Sequence, residues 1–288
     1  MACIEKIYSV SALTGNGKCN GKCKFCAARN LRNAPIDEAN YAKNLEAAIK
    51  LSARYGGWSL SLTSAGEPTC DTDAVTKTLA IYEECANQGA YFPNVNLFTN
   101  GIKIADWRFS SYLKRWKAHG LTNVAVSVHD IVLSRQADAY GLKKYPTFDS
   151  IFNNIREAGL GVRVTLLLSN NNISNSMLYA KAVDTLIDKY KINNITSWPI
   201  ANPDATPNGF TPSPQDLAGI RGWLAANTKL CHGHEWGGGV YDYHGNILRF
   251  TDYVTPHDPE KDYVRQLVVF RDGTVCYSWI KEGALCMK

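Results

Sequence analysis

Short apolar runs alternate with longer stretches of helical period from residue 4 to residue 227, and this alternation restricts the fold more than any other property of the chain. Strands are expected at 4–10, 58–63, 95–98, 123–128, 161–168 and 194–198, and helices at 37–54, 73–87, 110–118, 148–158, 175–190 and 215–227. Asp37 is a natural N-cap for the first helix, whose apolar positions Ala42, Leu45, Ala48, Ile49 and Ala53 fall on one stripe. Strands separated by helices of this length form right-handed βαβ units in a parallel sheet. Six of them predict an α/β fold, a partial (β/α)6 TIM-like barrel. The helical period disappears beyond Cys231, and Arg271-Asp-Gly273 is a hairpin signal. The expected division is a barrel core at 1–230 and a small β-rich C-terminal appendage at 231–288 that caps the substrate.

In such a barrel, chemistry gathers in the loops at the C-terminal ends of the strands. The loop after the first strand holds Cys19, Cys23 and Cys26, three thiolates within eight residues in the spacing C-x3-C-x2-C. They can serve three corners of a four-iron cluster. Cysteines normally supply four ligands, so one iron is left open to a small molecule. The alternative, a structural zinc site, wants four protein ligands, and no fourth Cys or His lies nearby in the sequence. Nine cysteines, with neither a secretory signal nor an apolar stretch of ~18 residues, point to metal or catalytic use in a reducing, cytoplasmic setting rather than to disulfides. The net charge of +5 is compatible with an anionic substrate and equally with an ordinary surface.

The cysteine spacing with its aromatic Phe25 is followed at later strand ends by Gly66-Glu67-Pro68, Thr99-Asn100-Gly101, Ser127 and Trp198-Pro199. Together these motifs closely resemble the pattern of the radical S-adenosylmethionine (radical SAM) superfamily over about residues 15–200. The resemblance implies that Cys19, Cys23 and Cys26 hold one [4Fe–4S] cluster, whose open iron is chelated by the amino and carboxylate groups of SAM. Ala65-Gly66-Glu67-Pro68 is similar to the family's Gly-Gly-Glu-Pro segment, which binds the SAM amino group, with Ala65 in place of the first Gly. Thr99 and Ser127 stand where relatives place hydroxyls on the methionine or ribose portion. Arg163 is similar to a basic residue that holds a carboxylate or an anionic substrate, and Phe25 and Trp198 would border the adenine. Taken singly, other readings stand: Gly-Glu-Pro and Thr-Asn-Gly are ordinary turns, Thr99 and Ser127 can bond backbone, and Arg163 can pair with a carboxylate on an exposed face.

By the same resemblance, an external one-electron reductant, flavodoxin- or ferredoxin-like, charges the cluster. SAM is then cleaved reductively to a 5′-deoxyadenosyl radical that abstracts a substrate hydrogen. The stretch 265–276 is similar to the C-terminal strand pair of nucleotide-acting members, without the CxxC pair that precedes it there. With Lys22, Lys24, Arg29 and Arg32 near the cysteine loop and Arg249, Arg265 and Arg271 in the appendage, it leads to the expectation of a nucleotide, nucleoside or modified nucleic-acid base as substrate. A peptide- or protein-modifying radical SAM enzyme and a non-catalytic iron–sulfur redox protein are the competing readings. Cys3, Cys70, Cys85, Cys231, Cys276 and Cys286 are left over, and Cys231, beside His232 and His234, is a further candidate for metal binding or hydrogen-atom donation.

Overall fold

The strands and helices follow one another as β1 (Lys6–Ile7), β2 (Ser9–Leu13), α1 (Glu38–Arg54), β3 (Ser59–Thr63), α2 (Thr72–Asn87), β4 (Asn94–Thr99), α3 (Ser110–Ala118), β5 (Asn123–Val128), α4 (Leu133–Ala139), α5 (Phe148–Glu157), β6 (Gly161–Leu168), α6 (Ser176–Asp188), β7 (Asn194–Pro199) and α7 (Pro214–Asn227). The remainder is β-structure: β8 (Lys229–Gly233), β9 (Gly239–Tyr243), β10 (Asn246–Phe250), β11 (Tyr263–Val264), β12 (Leu267–Val269), β13 (Val275–Cys276) and β14 (Leu285–Met287). This computed structural model describes residues 4–251, 260–281 and 285–287. Cys3, and residues 252–259, 282–284 and 288 of the expected C-terminal unit, lie outside the described residues.

Strands β2 to β7 pair in chain order, all parallel, as six βαβ-linked strands. The period-two alternation explains why. Val10, Ala12, Leu60, Leu62, Val95 and Leu97 are fully buried in the core beneath the helices, while the intervening Ser11, Ser61 and Asn96 face the other way. Side-chain caps fix the helix starts: Asp37 Oδ1 accepts from Asn40 N at 3.0 Å, and Asp71, Thr147, Asn175 and Ser213 do the same for α2, α5, α6 and α7. Among the described residues, no helix is long and apolar enough to cross a membrane.

The expected α/β partial barrel is present, with one addition. Strand β10 joins β7 and β12 joins β2, both parallel, so the row contains eight parallel strands. Antiparallel strands β9–β8 and β13–β14 then extend the two edges. Local periodicity is blind to such pairings, because each joins segments far apart in sequence. It also missed α4, only seven residues long, and β8, which is exposed along its whole length and so lacks an apolar alternation.

Among the described residues the two edges share no backbone hydrogen bonds, and side chains make the seam. Tyr8, just before β2, donates its hydroxyl to Glu235 in the β8–β9 turn at 2.9 Å. Its ring lies edge-on to Trp236, with centroids 5.0 Å apart, and against Tyr263, while the Arg265 guanidinium sits 5.0 Å above the Trp236 ring.

Candidate functional site

A cleft of about 930 Å³ opens at the C-terminal ends of the parallel strands, where the βα loops converge. Cys19, Cys23 and Cys26 line it together with Phe25, Gly66, Glu67, Pro68, Thr99, Ser127 and Trp198. Two expected site residues are not on its wall. Ala65 is buried behind the turn, and Arg163 lies deeper in the barrel, with Nη2 donating to Thr196 Oγ1 at 2.7 Å.

The cysteine loop is held from several sides. Lys18 O accepts from Glu67 N (2.9 Å), Asn20 Oδ1 from Asn100 Nδ2 (2.6 Å), and Tyr140 O from Lys22 N (2.7 Å). Gly66 makes the first of these contacts feasible, because a Cβ there would lie 2.2 Å from the Lys18 carbonyl oxygen and 2.5 Å from that of Gly17. Ala65, by contrast, is not in the left-handed region, so its methyl group strains nothing and the turn forms without a glycine pair.

Glu67 is buried and accepts four hydrogen bonds. Oε1 takes Thr69 N (3.0 Å), Thr69 Oγ1 (2.7 Å) and Thr99 Oγ1 (2.6 Å), and Oε2 takes Asn100 N (2.7 Å). Burial pushes its carboxyl up from the ordinary range, against the opposing pull of these donors. Oε2 is therefore the oxygen with acceptor capacity to spare for a cationic group in the cleft. Thr99 serves Glu67 directly, and its oxygen accepts from Gly101 N at 3.0 Å. Ser127 borders the cleft, and its carbonyl is tied down by Gln136 Nε2 (3.1 Å) and Tyr140 Oη (2.9 Å).

The sulfurs fit an electron-rich metal group. Cys19 Sγ and Cys23 Sγ would each lie 3.8 Å from a Cβ at Gly21, Gly21 N donates to Cys19 Sγ at 3.3 Å, and Arg32 Nη2 approaches Cys26 Sγ at 3.7 Å. Burial, then the neighbouring thiols, push the Cys23 thiol up to about 12, and burial raises that of Cys19. A bound cation reverses that balance and takes the thiolates. Among the described residues no three His, Cys, Asp or Glu side chains are gathered as a site for a single metal ion. Of the other described cysteines, Cys70 lies beside Asn20 of the cysteine loop, Cys85 and Cys276 are buried and Cys231 is exposed on β8.

Sequence reasoning missed Tyr140, which lines the cleft together with His129, Asn100 and Arg32. His129 had a signal, standing two residues after Ser127 at a strand end, whereas Tyr140 closes a helix that has no apolar stripe. The His129 ring packs on Phe25 (centroids 4.8 Å) and Tyr140 (5.0 Å), and its buried Nδ1 has no hydrogen-bond partner among the described residues. Burial lowers its pKa to about 3. The folded chain thus keeps His129 neutral while the unfolded chain protonates it below about 6.5, so stability is lost as pH falls from there toward 3. Urea unfolding of the cluster-free chain should show His129→Phe recovering about 2 kcal/mol relative to wild type between pH 7 and pH 5; parallel pH curves for the two proteins would contradict this.

No protein-family profile matches the chain, and no curated protein matches it in sequence. Solved structures do. The chain is similar to anSMEcpe with bound AdoMet at 14% identity and a TM-score of 0.61, covering 96% of this chain and 76% of that one. In the anSMEcpe complex with AdoMet and the Kp18Cys peptide the values are 14%, 0.54, 77% and 60%. SuiB from Streptococcus suis, bound to the precursor peptide SuiA, gives 12%, 0.61, 95% and 60%, and a radical SAM methyltransferase from Sphaerobacter thermophilus gives 16%, 0.56, 85% and 66%. The chain thus spans 60% to 76% of the length of these proteins. It shares their α/β fold, as the alternation of strands and helices led one to expect.

Proposed function

We propose that the chain is a radical SAM enzyme in which Cys19, Cys23 and Cys26 hold a [4Fe–4S] cluster and Glu67 receives the amino group of SAM. One observation carries this reading: the three cysteines and a buried, four-bonded carboxylate line the same cleft at the C-terminal ends of the parallel strands. When bound, cluster and SAM supply a one-electron reductive cleavage whose 5′-deoxyadenosyl product takes a hydrogen atom from substrate. The chain's own residues orient and shield. Thr99, Thr69 and Asn100 fix the Glu67 carboxylate, Phe25 and Trp198 give the cleft apolar walls, and Arg32 directs a cation at Cys26. The electron comes from an external flavodoxin- or ferredoxin-like donor, and a reducing cytoplasm suits the cluster.

The core at 1–230 carries this machinery, and we assign the segment 231–288 to substrate capping, because Trp279, Ile280 and Lys281 line the cleft. For the substrate we keep a nucleotide, nucleoside or nucleic-acid base, supported by the basic side chains of Arg32 and Lys281 on the cleft wall. A peptide is the second reading. It is favoured by the peptide complexes of anSMEcpe and SuiB and by β8, an exposed edge strand to which an extended chain could add.

Anaerobic reconstitution with iron and sulfide, followed by dithionite and SAM, should yield 5′-deoxyadenosine. An iron–sulfur centre that forms and titrates but never yields 5′-deoxyadenosine would instead make the chain an electron carrier.

A further inference from the structure

We propose that Arg32 sets the reduction potential of the cluster held by Cys19, Cys23 and Cys26, its fixed charge favouring the reduced state. This role rests on the cluster assigned above, and it makes Arg32 a positioning residue, not a catalytic one.

Five basic side chains lie in or just beyond the cysteine loop: Lys18, Lys22, Lys24, Arg29 and Arg32. Lys18, Lys22 and Lys24 are exposed, and Arg29 directs Nη2 at the carbonyl oxygens of Cys23 (2.7 Å) and Lys24 (3.2 Å). Of this group, Arg32 is the one with a hydrogen bond to a sulfur, its Nη2 lying 3.7 Å from Cys26 Sγ. Its reach is wider than that contact. Burial dominates the Cys19 and Cys23 thiols, and the cation that pulls both of them the other way is Arg32. One guanidinium thus acts on every cysteine of the triad.

The charge is also held in place. A Cβ at Gly17 would come 2.2 Å from the Arg32 carbonyl oxygen, so the first arm of the loop lies directly against the Arg32 main chain. The neighbouring Leu31 packs on the small apolar cluster of Leu13, Val268, Phe270 and Cys276. Among the described residues Arg32 makes no ion pair, and its Nε is buried with no hydrogen-bond partner. Nε and Nη2 form one edge of the guanidinium fork, so two donors on that edge share a single acceptor, Cys26 Sγ. A sulfur-rich group on the same cysteines supplies what the second donor lacks. Reduction adds negative charge to a group already bound by thiolates, and net charge and hydrogen bonds to sulfur are what set such potentials. A fixed, half-buried cation stabilises the reduced state more than the oxidised one, and the cluster becomes easier to reduce.

The test is a redox titration of the anaerobically reconstituted full-length protein without SAM, followed by the electron paramagnetic resonance of the reduced cluster. Arg32→Gln and Arg32→Met should each lower the ratio of reduced to oxidised cluster at a given potential about tenfold, a fall of about 59 mV in midpoint. Arg32→Lys keeps the charge and should restore most of that shift. Lys24→Gln removes an exposed, solvent-screened cation next to Cys23 and should move the midpoint far less. Iron content should match wild type in each variant, a combination that a merely structural arginine would not give. The proposal is overturned if Arg32→Gln and Arg32→Met titrate at the wild-type midpoint, or if Lys24→Gln shifts it equally. It is overturned too if neither neutral variant assembles a cluster, because the charge would then serve assembly and not potential. A cluster whose midpoint follows Arg32 but which never yields 5′-deoxyadenosine would remove the enzyme reading and leave this role standing, so the two fail separately.

Discussion

Cys23→Ala should lose iron and SAM cleavage in one step: after anaerobic reconstitution, no charge-transfer absorbance of an iron–sulfur cluster and no 5′-deoxyadenosine above the level of a protein-free control. The size of the effect follows from ligand number. A cluster held at three corners by protein has no spare thiolate, and Cys19 and Cys26 alone leave two irons to solvent. Cys23 is also the most enclosed of the three thiols, the one whose ionisation costs most until a metal takes the proton's place. Its side chain is only partly buried and packs at the margin of the core, so far-ultraviolet circular dichroism should match wild type. Turnover retained by a folded Cys23→Ala protein would remove the triad from the role given to it.

The second large effect is expected at Glu67→Gln. The amide can keep Oε1 as acceptor for Thr69 and Thr99 only by turning its NH2 toward Asn100 N, donor against donor. It also removes the negative charge offered to the SAM ammonium. Charge-assisted hydrogen bonds contribute about 1.5–3 kcal/mol each, so SAM binding, measured by equilibrium dialysis on the reconstituted protein, should weaken ~10- to 100-fold. Unfolding free energy should drop by about 1–2 kcal/mol. Iron content should not change, since among the described residues Glu67 hydrogen-bonds no cysteine sulfur, and that pairing of outcomes separates this variant from Cys23→Ala. Wild-type SAM affinity in Glu67→Gln would show that the carboxylate serves the turn alone.

Much of this site could be read before folding, because its parts sit at the ends of successive strands and each strand declares itself by short-range alternation. Cys19, Cys23, Cys26, Glu67, Thr99, Ser127 and Trp198 converge for that reason. What the periodicity could not carry are contacts made across the barrel. Arg163 sits on the fifth of the core strands as expected, yet its side chain reaches sideways to Thr196 on the next strand rather than up to the cleft, a choice made by register. Tyr140 enters the site because its main-chain oxygen catches Lys22 and its ring stacks on Tyr145, whose hydroxyl in turn reaches Asn100 O at 2.6 Å. The hairpin around Arg271-Asp-Gly273 was legible, but its place beside β2 was not.

That placement sets the order in which the cleft can be completed during synthesis. Ser9 of β2 donates to Arg265 O across 256 residues of chain, whereas β2 to β7 join neighbours as each emerges. Closing so long a loop is slow relative to the local pairings. The cysteine loop hangs from the very strand whose outer edge waits longest for its partner, and the wall formed by Trp279, Ile280 and Lys281 arrives with that partner. A nascent chain would therefore present its three thiols on an open-sided half-barrel, a natural interval for metal loading before the final strands seal the edge.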